Sequence, residues 1–308
     1  MKKLLLAAPL ALMLGALPAV AQQPAQRPAQ PAANSNRVPA ADMKTLPDPL
    51  AAVNSVWMDD LTILEIRDAM KKGKTTALIM TGGVEDNGPY TTIDKHNIML
   101  RATGEAIARR LGNALVAPVI RIHQGNPMTM DLPGSVVLSV ETFKAVIKDY
   151  ANSLKTEGFK NIYLMGEDGG AQTPMDEIAK AIATEWGANS SAKIAYIPEY
   201  YKEDPWSCNY LRKTLNIQQM PLDYCSGGGG VIYHDDYHYS AIIATVDPSA
   251  IRVQQRRDTK LFSVNSVDMD PLEKTILTGW KLIDYRTDIT VAAISKVVGG
   301  MTTAQAGK

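Results

Sequence analysis

Several things are scarce in this 308-residue chain. It has only two cysteines, neither with a histidine at ligand spacing, which argues against a cysteine-based zinc module. It has no surplus of charge: Lys+Arg and Asp+Glu both number 32, so no net field draws in nucleic acid, and no RNA- or DNA-binding motif is present. Phenylalanine is rare, three against twelve tyrosines, a bias toward rings with a polar tip that suits polar clefts more than dry cores. No G-x-S-x-G turn supports a serine nucleophile. No segment reaches the ~18 consecutive apolar residues that a membrane span needs. The chain also lacks a short internal period, which excludes a fibrous protein. At 45% hydrophobic and 21% charged residues it has enough apolar material to fold, which excludes a wholly disordered one.

What is present begins with export. Lys2 and Lys3 precede an apolar run from Leu4 to Leu17, and Ala19-Val20-Ala21 is a small-x-small cleavage site. Residues 1–21 therefore read as a bacterial secretory signal peptide, with no cysteine after it for lipidation. Its removal near Ala21 leaves a mature chain of charge about −2 in the periplasm or the medium. In that oxidising setting Cys208 and Cys225 are expected to form a disulfide, which would contribute roughly 3 kcal/mol by loop entropy. Residues 22–46 are rich in Pro, Ala and Gln without apolar periodicity and read as a disordered spacer.

From residue 47 to about 300 the pattern alternates. Helices are expected over Leu61–Lys72, Asn97–Leu111, Glu141–Glu157 (capped by Ser139, stopped by Gly158) and from Thr173-Pro174 to Trp186. Short apolar strands are expected at Thr76–Met80, Ala114–Ile120, Asn161–Met165 and Ala192–Ile197. A helix over Ser240–Gln255, interrupted at Asp247-Pro248, and one or two helices over Ile276–Val298 complete the domain. Short strands alternating with 10–17-residue helices predict one three-layer α/β/α domain with a mostly parallel central sheet.

In such a sheet ligands bind beyond the carboxyl ends of the strands. The loop after Met80 carries Glu85, Asp86, Asn87, Tyr90, Asp94 and His96; the loop after Ile120 carries His123; the loop after Met165 carries Glu167 and Asp168. His234 and His238 follow the run Gly227–Gly230, which reads as a hinge because no Lys-Ser/Thr follows it. Carboxylates and imidazoles gathered at one sheet end are the donors that a divalent metal or general acid–base catalysis requires. Each also has a plainer role open to it: Glu85 and Asp86 as turn residues, His96 as a helix cap, Asp168 as a turn former, Glu167 as a solvated neighbour, His123 as an exposed loop residue.

Four segments between Thr81 and Pro248 add a resemblance. TGGVEDNGPYTTIDKHN (Thr81–Asn97) resembles the G-S-x-E-Q-H-G-P-H segment of the creatininase (creatinine amidohydrolase) family. GEDGGAQ (Gly166–Gln172) resembles its G-H-G-G-N turn, Leu132-Pro133-Gly134-Ser135 its F-P-G-T, and HDDYHYSAIIATVDP (His234–Pro248) its H-A-G-x-x-E-T-S. The resemblance implies a three-layer α/β protein, often a hexamer, with a two-metal centre of zinc or manganese that opens amide bonds. Position by position, Glu85 matches the first ligand and His234 the catalytic histidine. Asn87 stands at a histidine ligand, His96 (with Asp94 as the competing choice) at the bridging aspartate, Asp168 at the histidine of the glycine-rich turn, and Tyr239 at a late glutamate. Glu85, His96 and Asp168 remain as an oxygen/nitrogen set for one metal.

Two readings follow. In the first, an exported hydrolase holds a divalent metal at Glu85, His96 and Asp168 and cleaves a C–N bond of a small amide, with His234 as proton donor to the leaving nitrogen. Asn87, Tyr90, His123, Tyr237, His238 and Tyr239 would contact the substrate. In the second, a catalytically reduced relative binds a small polar ligand without metal in a cleft lined by Tyr90, Tyr200, Tyr201, Tyr237 and Tyr239.

Overall fold

Thr76–Thr81 forms strand β1, with all six side chains buried. A strand buried on both faces reads as a continuous apolar run, and TALIMT is one. In the computed structural model, which describes residues 42–48, 50–85, 87–125, 133–202, 206–219 and 236–306, β1 lies inside a four-stranded sheet. Its partners are β2 (Ala114–Val116) and β3 (Asn161–Gly166), and β4 (Lys193–Tyr196) lies beyond β3. The order is β2-β1-β3-β4 and every pairing is parallel. β1 and β3 pair along their whole length, from Thr76 opposite Asn161 to Thr81 opposite Gly166. The loops that leave them therefore emerge side by side.

Alternate β1 residues feed two cores. Ala77 and Ile79 pack with Phe143, Ile147 and Leu154 of α3 (Val140–Glu157) and with Met175 and Ile182 of α4 (Gln172–Trp186). Leu78 and Met80 pack with Leu100 and Ile107 of α2 (Lys95–Leu111) and with Ala293 and Ile294 of the long C-terminal helix. These are the three layers expected from the sequence. A third core joins α2 to that C-terminal helix and to the helix over Tyr237–Val246, through Met99, Ile242, Ile243, Leu282 and Ile283. Each of these buried Leu, Ile, Met and Phe side chains stabilises the fold by roughly 1.5–3 kcal/mol.

Local signals set the helix ends. α1 (Ile63–Lys71) opens on a capping box: the Thr62 hydroxyl accepts from the Glu65 N–H at 3.2 Å, and Glu65 accepts from the Thr62 N–H at 2.8 Å. Ser139 caps α3 by accepting from the Thr142 N–H at 3.1 Å, and Gly158 ends it at φ 109°, in the left-handed region. The remaining elements are α5 (Glu199–Lys202), α6 (Trp206–Lys213), α7 (Tyr237–Val246), α8 (Val253–Asp258), the small hairpin β5 (Ser263–Val264) and β6 (Val267–Asp268), and α9 (Leu272–Ala306). A 3-10 turn at Pro248–Ile251 marks the Asp247-Pro248 interruption.

Two of the differences from the expected elements have a local cause. β2 stops at Val116 instead of reaching Ile120, because Pro118 has no N–H to continue a ladder; only an isolated bridge from Thr81 to Ile120 resumes it. α4 starts at Gln172, so Thr173 is not its cap. The turn before it is held instead by Asp168, whose Oδ1 accepts from the Ala171 N–H at 2.8 Å.

All of this architecture belongs to the unit Lys44–Lys308. The signal segment 1–21 and most of the spacer 22–46 lie outside the described residues. So do His234, the run Gly227–Gly230, and Cys225, the expected partner of Cys208. Among the described residues no helix is long and apolar enough to cross a membrane.

Candidate metal centre

The β1–α2 loop delivers Glu85, and the first turn of α2 delivers Lys95 and His96. The loop is folded back on itself by the Glu85 N–H, which donates to the Ile93 carbonyl at 3.3 Å. It is also braced by the Asn97 amide, which donates to the Gly83 carbonyl at 3.0 Å and to Asp94 at 2.7 Å. The β3–α4 loop delivers Glu167 and Asp168, and the segment after β2 delivers His123. Because β1 stands between β2 and β3, all three loops meet over its carboxyl end.

One ligand atom each from Glu85, His96 and Asp168 lies within 4.8 Å of the others. His96 is 3% exposed, and its Nε2 lies 2.6 Å from Glu85 Oε1, a hydrogen bond in this state. His123 is equally buried; its Nε2 stands 3.9 Å from Glu85 Oε2 and 3.7 Å from Asp168 Oδ2. The reading of His123 as an exposed loop residue is therefore wrong.

Sequence reasoning missed the charges beneath. Lys95, at a helix start where a solvated lysine is expected, is fully buried. Its Nζ lies 3.5 Å from Glu85 Oε1 and 4.5 Å from the centre of the Tyr239 ring. Burial pushes its pKa down, against the attraction of Glu85, Asp236 and Glu167. Glu167 is no solvated neighbour: at 1% exposure it pairs with Arg286 of α9, whose Nη1 lies 2.5 Å away, and it accepts from the Tyr200 hydroxyl. Arg286 also donates from Nε to the Tyr200 carbonyl at 2.8 Å. Neither Lys95 nor Arg286 carries a local signal, since each is an ordinary charged residue in an amphipathic helix; only the tertiary packing buries it.

The candidate substrate residues divide. Tyr239 belongs to the site: its ring meets His96 edge-on at 6.3 Å, and burial holds its hydroxyl well above the ordinary tyrosine range. The His238 ring lies against that of Tyr239, tilted by 42° with centres 3.9 Å apart, and burial, with Arg286 and Lys95 nearby, pushes its pKa down to about 3. Tyr201 is raised to about 12, first by burial and then by Asp168 and Glu167. Asn87 serves the loop, its amide donating to the Glu85 and Thr92 carbonyls at 3.1 and 3.3 Å. Tyr90 lies under the Arg256 guanidinium at 5.0 Å, and Tyr237 is buried in the α2–α7–α9 core.

The donor set fits a metal. It offers carboxylate oxygens and imidazole nitrogens, the donors suited to zinc or manganese. Among the described residues, four carboxylates here (Glu85, Glu167, Asp168 and Asp236) face two cations, Lys95 and Arg286.

The family model for creatinine amidohydrolase matches residues 59–221, a span that holds Glu85, His96, His123 and Asp168. This chain belongs to the creatininase family. No curated protein sequence matches it. Among solved structures, a glutamate-to-glutamine creatininase variant complexed with creatine superposes at TM-score 0.57 and 17% identity, over 79% of this chain and 98% of its own. A zinc–zinc form of such a variant gives 0.57 and 16% over the same shares. A manganese creatininase gives 0.55 and 16%, over 80% and 98%. At these identities the superpositions establish the creatininase fold.

Proposed function

We propose that this member of the creatininase family is an exported, metal-dependent hydrolase of a C–N bond in a small molecule, an amide or cyclic amide. The observation that carries this reading is the convergence of Glu85, His96 and Asp168 within 4.8 Å at the carboxyl ends of two neighbouring strands. Zinc or manganese bound there would supply Lewis acidity toward the amide carbonyl and activate water. The protein's own groups supply the rest. Lys95 places a buried basic group beside Glu85, the Tyr239 and His238 rings shield the site from bulk water, and His234 is the proton donor to the leaving nitrogen.

The test is hydrolysis of a panel of small linear and cyclic amides by protein loaded with zinc or manganese, against the same protein stripped by chelator. Metal-dependent release of amine or ring opening is the expected result. A panel untouched by protein that demonstrably holds metal counts against the hydrolase reading.

One observation favours the second reading, a metal-free binding protein. Glu85 already has a hydrogen bond from His96 at 2.6 Å and the Lys95 ammonium at 3.5 Å. A chain that retains no zinc or manganese yet binds small polar amides would establish it.

Three features complete the proposal. Cleavage near Ala21 and release to the periplasm or medium are read from the N-terminal sequence, and amino-terminal sequencing of the exported protein tests them. The Cys208–Cys225 bridge predicts one linked peptide in an unreduced digest. A homo-oligomer, a hexamer by family likeness, predicts a corresponding mass by light scattering.

A further inference from the structure

We infer that the site holds a single metal ion with four protein ligands, His123 being the fourth, and that the Lys95 ammonium occupies the electrostatic role of a second ion. This rests on the metal-dependent reading above. The decisive residue is His123. Its ring is 97% buried, because only 3% of the residue is exposed, and its Nδ1 has no hydrogen-bond partner among the described residues. Its Nε2 faces two carboxylate oxygens at 3.9 and 3.7 Å, too far for hydrogen bonds. Two donors each about 2.1 Å from a common ion, at the roughly 109° of a tetrahedral site, stand roughly 3.4 Å apart. The two gaps lie within about 0.5 Å of that ligand spacing, whereas His96 and Glu85, at 2.6 Å, are in hydrogen-bond contact.

The backbone makes room for that ring. A Cβ on Gly83 would lie 2.5 Å from His123 Nδ1, so only glycine lets the imidazole seat against the β1–α2 loop. His123, Glu85, Asp168 and His96 together make a two-imidazole, two-carboxylate set.

Lys95 limits the site to one ion. Its ammonium, on a fully buried side chain, is held 3.5 Å from Glu85 Oε1, the oxygen facing away from His123. A second dication sharing Glu85 would meet that charge at contact range in a low-dielectric interior. Asn87, spent on bracing its own loop, offers no replacement ligand.

The experiment uses zinc alone as the probe, on the mature full chain, with cobalt(II) for spectroscopy. Titration calorimetry of the wild type is expected to give one ion per chain. His123→Ala is expected to weaken zinc at least 10-fold and to change the cobalt d–d band, while His123→Asp, which returns an oxygen ligand, recovers part of the loss. His123→Gln guards against a packing defect in the alanine variant, and thermal melting without metal checks that all three fold. Two ions per chain in the wild type overturn the single-ion inference. Wild-type affinity and an unchanged cobalt spectrum in His123→Ala and His123→Gln overturn the ligand role of His123, provided that Glu85→Gln loses zinc. A wild type that binds no zinc or cobalt overturns the metal-dependent reading itself, a different outcome from either.

Discussion

Glu167 and Arg286 form an ion pair with no contact to bulk water, an Arg286 nitrogen 2.5 Å from a Glu167 oxygen, and so tie the residue after β3 to the C-terminal helix α9. Arg286 also lies 4.0 Å from the Tyr200 ring centre, and Tyr200 shares its hydroxyl with Thr103 of α2 at 2.8 Å. The Asp168 loop is therefore anchored from beneath by helices far apart in sequence. Breaking a buried pair strands the partner charge, which costs about 3–5 kcal/mol. Arg286→Leu should lower unfolding stability by that amount in urea denaturation. The double variant Glu167→Leu/Arg286→Leu should lose less than Arg286→Leu alone. A double variant that loses the sum of the two singles would show that the pair is not coupled.

His238 makes stability depend on pH. Its folded pKa is about 3, against about 6.5 when unfolded. Between those values the unfolded chain binds the proton and the folded one does not. No penalty exists above about pH 6.5; it grows as pH falls and saturates near pH 3, at up to roughly 4–5 kcal/mol. His238→Gln should flatten the fall in stability between pH 6.5 and 4. An identical slope in the two proteins would mean that His238 titrates normally.

Gly279 sits where α9 crosses α7. A Cβ there would lie 2.1 Å from the Ala241 carbonyl oxygen, a backbone atom that cannot step aside alone. In an unhindered helix Gly→Ala gains about 1 kcal/mol. Here overpacking of about 1–3 kcal/mol should outweigh it. Gly279→Ala is expected to melt below the wild type, and a higher melting temperature would show that the helices can separate at no cost.

How much of this was legible in the sequence depends on whether the signal was local. α3 is announced by Ser139 and Gly158, and β1 by its unbroken apolar run. Glu85, His96 and Asp168 could be singled out because the parallel-sheet rule points to loops at strand carboxyl ends. α4 begins two residues ahead of Pro174, the first helical position that Thr173-Pro174 suggests by imitating a cap and first turn; the turn is held by the Asp168 side chain, the turn-former role open to it beside the metal one. Lys95, Glu167 and Arg286 were invisible as buried charges. Glu167 and Arg286 are buried where α9 packs against α2 and α5, 119 positions separating the pair, and Lys95 where α7 brings Tyr239 to it, and no spacing rule reaches that far. His123 was noticed, but its depth comes from Gly83 on a different loop.

The central claim is that this loop cluster holds a metal ion. Elemental analysis of wild type and Glu85→Gln, each produced with zinc and manganese in the medium and desalted before measurement, tests it most directly. The account predicts about one zinc or manganese per wild-type chain and a clear loss in Glu85→Gln, at equal melting temperatures of the metal-free proteins. A wild type free of both metals, or a Glu85→Gln protein that retains the full complement, would contradict it.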